Sequence, residues 1–446
     1  MNLQLITKLK NYTWKSLKKL GNLTFAISLF FYIASLSIIG TIIEQNQNLQ
    51  FYINTYSEKN KILWFFDWKI IKDLQLDHVY TTWWFISSII VFGASLTICT
   101  LSKQLPMLKS ARRWRFYSSR SKILGCSSTT TLTSPSLFMI SFILQQHHYH
   151  VFQQKNKIYA YSGLIGRVAP IFVHISIILL LFGSILSFIG GVLLQEIITV
   201  GETVHPQNII TSGKVSYLEQ EFIIHISNFS IKYNPDISVR QFISYTSILN
   251  FNNQLISKQI LQVNTPMYFR SLTIYQTDWD IIAIRLKLNK NVKIQISCQE
   301  FTYQNHRLWV SVLKVSKNSI IYIIIPNFTG KLYIYNNEGN LIKSIYIHDT
   351  VQVKNVDISF ENFLARTGLQ IKTDPGNSII YFSFGILILS TLFSYVSYSQ
   401  LWIIYFYNNS YLGGVTNRAY LDFEEDIKKI ESQSMYAMTK LHNREN

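Results

Sequence analysis

The pattern of hydrophobic and polar positions divides the chain into four long apolar runs separated by polar segments. The runs cover residues 23–43, 83–101, 168–190 and 378–398, and none of them contains a formal charge. A bilayer core requires about 20 apolar residues, because each residue adds about 1.5 Å to a helix. We therefore predict four transmembrane helices. The first is interpreted as a retained helix, since no small-residue cleavage pattern follows it.

The longest polar interval, residues 191–377, shows a strand pattern. Short runs rich in β-branched and aromatic side chains alternate with Asn, Gly and Pro, which is typical of strands joined by turns. The predicted strands are 222–226, 281–288, 292–297, 308–315, 320–325, 331–335 and 341–347. The predicted fold class is an integral membrane α-helical protein with four transmembrane helices and a large β-rich extracytoplasmic domain.

Shorter patterns predict the remaining elements. The apolar run 136–144 is too short to cross a membrane and is expected to pack against another element. Residues 118–136, rich in Ser and Thr, are interpreted as a loop, and residues 147–161 as a hairpin. The tail, residues 399–446, mixes apolar and charged positions in its second half and predicts a surface helix. The sequence Asp374-Pro375-Gly376 predicts a turn before the last apolar run.

The net charge of +17 is unevenly distributed, and its distribution predicts the topology. Residues 102–167 contain ten Lys and Arg and no acid, and residues 1–22 contain five Lys and no acid. The positive-inside rule places both on the cytoplasm-like side, with the tail, and leaves the aromatic loop 44–82 and the β-rich domain opposite. The basic segment is expected to touch anionic lipid headgroups. Nucleic-acid binding is disfavoured, because no recognition motif accompanies the charge.

His174 is the only histidine within a predicted span. It follows Arg167 by seven residues, which places it about 10 Å into the apolar layer if the segment is helical. An ionisable residue at this depth is a candidate functional group by default. A neutral imidazole there can ligate haem iron, or it can hydrogen-bond to a neighbouring span. The residues alone leave both interpretations open.

Other histidines have competing interpretations. His78 stands beside Asp77 at the opposite membrane edge, where it could contact haem or a partner, or could serve as an interfacial anchor. His147, His148 and His150 form a cluster that could bind a metal, although a polar surface hairpin is the favoured interpretation.

The arginine and cysteine residues are less informative. The arginines of the basic segment could pair with carboxylates such as propionates, but topology alone explains them; they are Arg112, Arg113 and Arg115. The three cysteines fall in different predicted regions without a CxxC motif; they are Cys99, Cys126 and Cys298. We therefore expect neither a disulfide framework, nor a zinc site, nor a thiol-redox enzyme.

Several separated motifs around the four runs resemble those of the ResB family, a subunit type of cytochrome c biogenesis system II. The motifs are LTFA at 23–26, GTIIEQN at 40–46, LDHVY at 76–80, WWF at 83–85, CT at 99–100, QLP at 104–106, GR at 166–167, His174, VNTP at 263–266, YQ at 275–276, Trp279, GLQ at 368–370, DPG at 374–376, GG at 413–414 and NR at 417–418. Each motif is weak alone, and their order and spacing carry the resemblance.

The resemblance implies a function in haem delivery. It implies a non-catalytic subunit, with no catalytic residue of its own, that acts with a partner called CcsA to present transient haem b to apocytochromes c: cytochrome f and a soluble lumenal c-type cytochrome. His174 would be an axial ligand, and His78 is a second candidate. The implied location is the thylakoid membrane of a plastid, with the β-rich domain in the lumen, or a cyanobacterial or other bacterial inner membrane. The alternative is a scaffold that stabilises a partner without binding haem; a solute permease is disfavoured.

Overall fold

The structure is a computed structural model of the chain. It describes residues 15, 17–57, 66–111, 113–133, 137–218, 222–236, 238–289, 292–303, 306–316, 319–353, 356–406 and 409–445. The chain forms two compact units, one comprising Met1–Phe182 with Ser378–Asn446 and the other Gly183–Asn377. Arg112 and parts of the basic N-terminus and of the aromatic loop lie outside the described residues.

The helices, numbered in chain order, differ widely in length. They are α1 (Leu23–Ile42), α2 (Leu49–Thr55), α3 (Trp68–Asp73), α4 (Trp83–Cys99), α5 (Leu105–Ala111), α6 (Arg120–Leu124), α7 (Leu137–Gln146), α8 (Leu164–Gly190), α9 (Asn377–Ser394) and α10 (Tyr420–Glu445). A 3₁₀ helix, Leu76–Thr81, precedes α4, and a π-helical turn, Thr100–Gln104, joins α4 to α5.

Four of these segments are long and apolar enough to cross a membrane. They are Leu23–Ile42, Trp83–Leu108, Leu164–Gly190 and Asn377–Ser394, and each matches one of the predicted runs. The first begins where the Asn22 side chain accepts a hydrogen bond from the Thr24 amide, a typical N-cap. The last begins after the predicted turn at Asp374-Pro375-Gly376, where the Asn377 amide donates to the Asp374 carbonyl.

A five-stranded antiparallel sheet lies at one end of α8 and α9. Its strands are β1 (Ser128–Thr133), β2 (His150–Gln154), β3 (Lys157–Ser162), β20 (Ser399–Phe406) and β21 (Asn409–Thr416), in the order β1-β21-β20-β3-β2. The hairpin predicted at 147–161 is confirmed as β2 and β3. Because β20 pairs with β3, and β21 with β1, the basic segment and the tail lie on the same side of the helices.

The two faces of this sheet are covered differently. One face packs against α7 and α10, which confirms that the short apolar run packs rather than spans and that the tail contains a helix. The other face carries Tyr159, Trp402 and Tyr411 and is covered by the chain between α5 and β1. The loop prediction for 118–136 is wrong, because α6 and β1 lie there; the strand pairs its backbone with β21, more than 270 residues away in sequence.

The second unit is built of strands. They are β4 (Val192–Thr199), β5 (Thr203–Val204), β6 (Ile209–Ser212), β7 (Ile223–Tyr233), β8 (Val239–Leu249), β9 (Leu255–Gln262), β10 (Met267–Phe269), β11 (Leu272–Leu288), β12 (Val292–Ser297), β13 (Gln299–Tyr303), β14 (His306–Ser316), β15 (Ser319–Ile325), β16 (Lys331–Tyr335), β17 (Leu341–Tyr346), β18 (Thr350–Val353) and β19 (Val356–Thr373).

These strands form three antiparallel sheets. The largest follows the order β10-β11-β19-β4-β6, with β12 and β18 at its margins; the others are β13-β14-β15-β16-β17 and β5-β7-β8-β9. All seven predicted strands are confirmed. The long central pair β11–β19 shifts register at three points, and the bulges bend both strands so that one pair serves two hydrophobic clusters.

Candidate functional site

His174 lies on the third transmembrane-length helix. It follows Leu164, the first residue of α8, by ten positions, or about 15 Å along the axis. Its side chain is half-buried, and its neighbours on the helix are mostly apolar. A polar group in such surroundings requires a hydrogen-bond partner.

The partner of His174 is a hydroxyl group on another helix. The Oγ1 atom of Thr100 lies 3.4 Å from Nδ1 of His174. The same hydroxyl donates its only proton to the Leu96 carbonyl, at 2.7 Å. Toward the imidazole its oxygen can therefore act only as an acceptor, which favours the tautomer with the proton on Nδ1 and the lone pair on Nε2. This is the tautomer in which Nε2 can bind a metal.

A π-helical turn places this hydroxyl. Thr100 is the first residue of the turn Thr100–Gln104, directly after α4. Such turns are rare and occur frequently at functional sites, because the wider ring displaces a side chain from its α-helical position. Thr100 is buried, and the turn also buries Oε1 of Gln104 without a hydrogen-bond partner among the described residues.

A second contact between α4 and α8 matches the first in register. A Cβ atom on Gly93 would lie 3.5 Å from Cδ1 of Leu181, so the helices approach closely at that level. Gly93 precedes Thr100 by seven residues, and His174 precedes Leu181 by seven. This antiparallel match brings Thr100 beside His174 two turns further along.

A cation stands at the mouth of α8, above the histidine. Arg167 precedes His174 by seven residues and therefore lies on nearly the same face of the helix, about 10 Å nearer to its start. Its guanidinium lies 4.9 Å from the centre of the Tyr398 ring. Gly166 allows this contact, because a Cβ there would collide with the carbonyl oxygen of Val396.

His78 has a different kind of partner. Its Nδ1 lies 2.8 Å from Oδ1 of Asp77, and Nζ of Lys72 lies 2.7 Å from Oδ2 of the same carboxylate. Burial raises the pKa of Asp77, but the hydrogen bonds and charges of Lys72 and His78 outweigh it and lower that pKa below its usual value. The carboxylate holds the His78 ring, whose side chain is 38% exposed.

The motifs that precede and contain His78 contact each other directly in the structure. Gln45, from the segment after α1, donates to the Leu76 carbonyl at 3.0 Å and accepts from the Val79 amide at 3.0 Å. Tyr52 adds a hydrogen bond from its hydroxyl to the Glu44 carbonyl at 2.5 Å. These bonds fasten the end of α1 to the 3₁₀ helix that carries His78.

The structure does not bring the two candidate histidines together. His78 precedes the first residue of α4, whereas Thr100, the partner of His174, follows its last residue. The 17 residues of α4 span about 26 Å. Two axial ligands must both touch one iron, so His78 and His174 of one chain cannot share a haem.

The other sequence-predicted residues lie elsewhere. Arg113 and Arg115 are exposed beside the small sheet. His147 contacts Gln433 of α10 at 2.9 Å, whereas His150 lies beside Tyr161 on the opposite face, so the structure does not assemble this cluster into a metal site.

Cys298 behaves as a buried structural thiol. Burial raises its pKa to about 11, and its Sγ lies 3.0 Å from Oγ of Ser311. It is therefore a thiol and not a thiolate near neutral pH.

The sequence did not identify Thr100 as the partner of His174. Ser176, Ser184 and Ser187 were nearer in sequence, but Ser176 donates to the Val173 carbonyl and Ser187 donates to Asp374. The available signal was the CT pair at 99–100, which lies among the motifs of the resemblance.

Comparison with known proteins gives relatives over nearly the whole chain. The chain is 43% identical over 434 residues to cytochrome c biogenesis protein Ccs1 of Porphyra purpurea, covering 97% of this chain and 99% of the relative. It is 44% identical to Ccs1 of Pyropia yezoensis over 95% of this chain and 97% of that one. It is 35% identical to cytochrome c biogenesis protein CcsB of a Picosynechococcus strain, covering 94% and 91%.

A family model gives the same result. The model of the ResB-like family matches residues 23–340 and 335–428, which include α1, the His78 motif, Thr100, His174 and the last two strands. The resemblance seen in the sequence motifs is thus confirmed, and the chain belongs to the ResB-like family.

Proposed function

We propose that this chain acts in cytochrome c biogenesis by holding haem at His174 for attachment to apocytochromes c. One observation carries the proposal: the Thr100 hydroxyl fixes the imidazole as the tautomer whose Nε2 is a free ligand. Ser176 forms its hydrogen bond within α8 and leaves the imidazole to Thr100. The haem is cargo in this scheme, and the chain binds and orients it rather than transforming it.

Arg167 suits the propionate groups of a haem whose iron is bound by His174. A haem ligated by His174 can turn its propionates toward the start of α8, where Arg167 stands seven residues, or about 10 Å of helix, before the histidine. Guanidinium groups bind carboxylates through two parallel hydrogen bonds. The residues around His174 on α8 are mostly apolar and suit the macrocycle.

The second axial ligand comes from another chain, which we take to be CcsA. His78 is too far away to serve, as the length of α4 requires. The buried share of the four transmembrane segments is only 6% for Leu23–Ile42 and at most 28%, for Trp83–Leu108. Apolar helix surface is therefore available for the helices of a partner as well as for lipid.

His78 is assigned a second, weaker contact with haem on the far side of the membrane. Asp77 orients its ring through Nδ1 and leaves Nε2 exposed, which is the arrangement of many carboxylate-supported histidine ligands. Haem that leaves His174 would meet this imidazole on the side of the membrane opposite to the basic segment. The targets there are cytochrome f and a soluble c-type cytochrome.

The relatives support a location in the thylakoid membrane of a plastid. Two of them are proteins of red algae, and one is cyanobacterial, so a bacterial membrane is the alternative. The sheet of β1, β2, β3, β20 and β21 collects the basic segment on one side, which we assign to the stroma by the positive-inside rule. The β-rich unit is then lumenal.

The test is the haem content of a co-purified complex with CcsA. The His174→Ala variant should lose at least about tenfold of the Soret absorbance per complex while the level of CcsA stays unchanged. Added imidazole should restore part of the signal in a His174→Gly variant. The matched control is His147→Ala, because the His147 ring bonds to Gln433 of α10 and is not on α8.

A scaffold without haem gives the opposite pattern. In that case deletion of the chain lowers CcsA, whereas His174→Ala changes neither holocytochrome levels nor absorbance. A colourless wild-type complex would also reject the haem-holding proposal.

A further inference from the structure

The uncovered part of the small sheet's aromatic face is a second place where this chain can bind a ligand. The segment between α5 and α6 crosses that face over the middle row of its side chains. Trp114 stacks on Phe152 with 4.2 Å between ring centres, and Tyr117 stacks on Trp402 at 4.4 Å and 7°. The Trp402 indole donates to the Arg115 carbonyl at 2.8 Å, and this hydrogen bond holds the crossing segment against the sheet.

The next row, toward the helices, remains accessible. It consists of His150, Tyr161, Gln400 and Val415, which are neighbours on four adjacent strands. We call this row the ledge. His150 is exposed, Val415 is 37% exposed, and the other two are half-buried. Four strands at about 4.8 Å spacing make the ledge about 14 Å wide, enough to carry a flat macrocycle.

Three arginines stand on the segments next to the ledge. Arg113 and Arg115 are exposed on the crossing segment, and Arg167 stands where β3 leads into α8. The whole segment 102–167 contains no carboxylate. The carboxylates of α10 belong to the other face of the sheet, where Phe423 and Ile427 pack. The side of the sheet with the ledge therefore attracts anions.

His150 completes the set of groups. Its ring lies 5.2 Å from the Tyr161 ring, and within the described residues it has no hydrogen bond or ion pair. An exposed imidazole beside a tyrosine ring, with arginines on the neighbouring segments, offers a metal ligand, a stacking surface and carboxylate partners.

We propose that the ledge binds haem before it reaches His174. This inference rests on the proposed function, because the ledge would supply haem to His174. The macrocycle would lie against Tyr161, its propionates would face Arg113 and Arg115, and His150 would approach the iron. Arg167 lies next to the ledge and about 10 Å from His174, so it can contact the cargo at both places. An anionic lipid headgroup would use the cations but neither the rings nor the imidazole.

The experiment uses the purified full-length chain in detergent with the His174→Ala substitution, so that only the ledge site remains. Haemin is titrated while the Soret band and tryptophan fluorescence are recorded. We expect one haem to bind, His150→Gln to shift the Soret band, and Arg115→Gln to weaken binding about tenfold. The matched controls are His147→Gln, on the opposite face, and Arg120→Gln, which lies over Tyr411. Both should bind haemin like the His174→Ala parent.

The outcomes separate this inference from the proposed function. If wild-type protein binds haemin and His174→Ala abolishes all binding, the ledge is rejected and His174 stands. If the His150 and Arg115 variants match the controls, the ledge is also rejected. Quenching of Trp114 by anionic vesicles but not by haemin assigns the ledge to lipid and overturns the inference. Metal-free protoporphyrin should bind more weakly than haemin and be insensitive to His150→Gln.

Discussion

The regions around His174 and His78 solve one problem, the orientation of an imidazole, in different ways. His174 donates to a neutral hydroxyl on a neighbouring helix, 3.4 Å away. His78 contacts a carboxylate at 2.8 Å, and a lysine neutralises that carboxylate. The first arrangement needs no charge, whereas the second needs two charged partners.

The difference follows from depth. A carboxylate beside His174 would have to be transferred into an apolar layer, which costs several kcal/mol unless it is fully paired. A threonine hydroxyl that bonds to the Leu96 carbonyl is satisfied within its own helix and still offers an acceptor. Near the predicted membrane edge, the partly exposed Lys72 pairs with Asp77, so a charged partner for the histidine costs less there. The partner type therefore reflects where each ring sits.

The largest expected effect comes from removing the carboxylate. Asp77→Asn leaves Lys72 without its counter-ion in a site where the Asp77 side chain is only 11% exposed. We expect a loss of about 3 kcal/mol in the free energy of unfolding, measured by chemical denaturation in detergent. The control is Asp73→Asn, which changes an acidic residue on α3, the helix that carries Lys72. Equal stability of the two variants would mean that the charged arrangement does not support the loop.

The next largest effect is expected from removing the Thr100 hydroxyl. Thr100→Val keeps the shape of the side chain but removes the acceptor, so the His174 tautomer is no longer fixed. We expect haem affinity to fall about tenfold, whereas Thr100→Ser stays near the wild type. A purely structural role would change thermal stability in the valine variant but leave the ferric spectrum of bound haem unaltered; a changed spectrum is the result we expect.

The sequence was informative about both sites to different degrees. Asp77 is adjacent to His78, so an Asp–His pair could be predicted from the chain itself. Thr100 lies 74 residues before His174 in sequence, and only the packing of α4 on α8 brings them together. No local pattern encodes that contact.

The same distinction applies to the fold. The four apolar runs and seven strands of the β-rich unit were predictable, because local periodicity encodes them. Of the small sheet only the β2–β3 hairpin was predicted: β1 comes from a Ser/Thr-rich stretch, and β20 lies directly after the last apolar run. Their pairing joins Thr133 with Asn409, and such long-range pairing is not written in either segment.

The pH dependence of stability should show a smaller effect, and it concerns Asp77 in the His78 region. The folded-state pKa of Asp77 is lowered, so its carboxylate contributes stability above the unfolded-state value of about 3.9 and loses it as pH falls through the folded-state value. Between pH 7 and 5 the difference in stability between wild type and Asp77→Asn should stay constant. It should shrink as the pH falls below about 4. A difference that shrinks already at pH 6 would contradict the lowered pKa of Asp77.

The smallest effect concerns the cations. Lys72 is paired with Asp77, whereas Arg167 contacts the Tyr398 ring and has no carboxylate partner among the described residues. Of these two cations, Arg167 is therefore the one available to propionates. Arg167→Gln should weaken haem binding by about threefold, the size expected for one partly solvated ion pair. Arg167→Lys should recover part of this loss, because it keeps the charge but not the bidentate geometry. Lys72→Gln should leave haem affinity unchanged while lowering stability. If Lys72→Gln weakens haem binding as much as Arg167→Gln does, the cation of the His78 region also serves haem, and the contrast between the two regions fails.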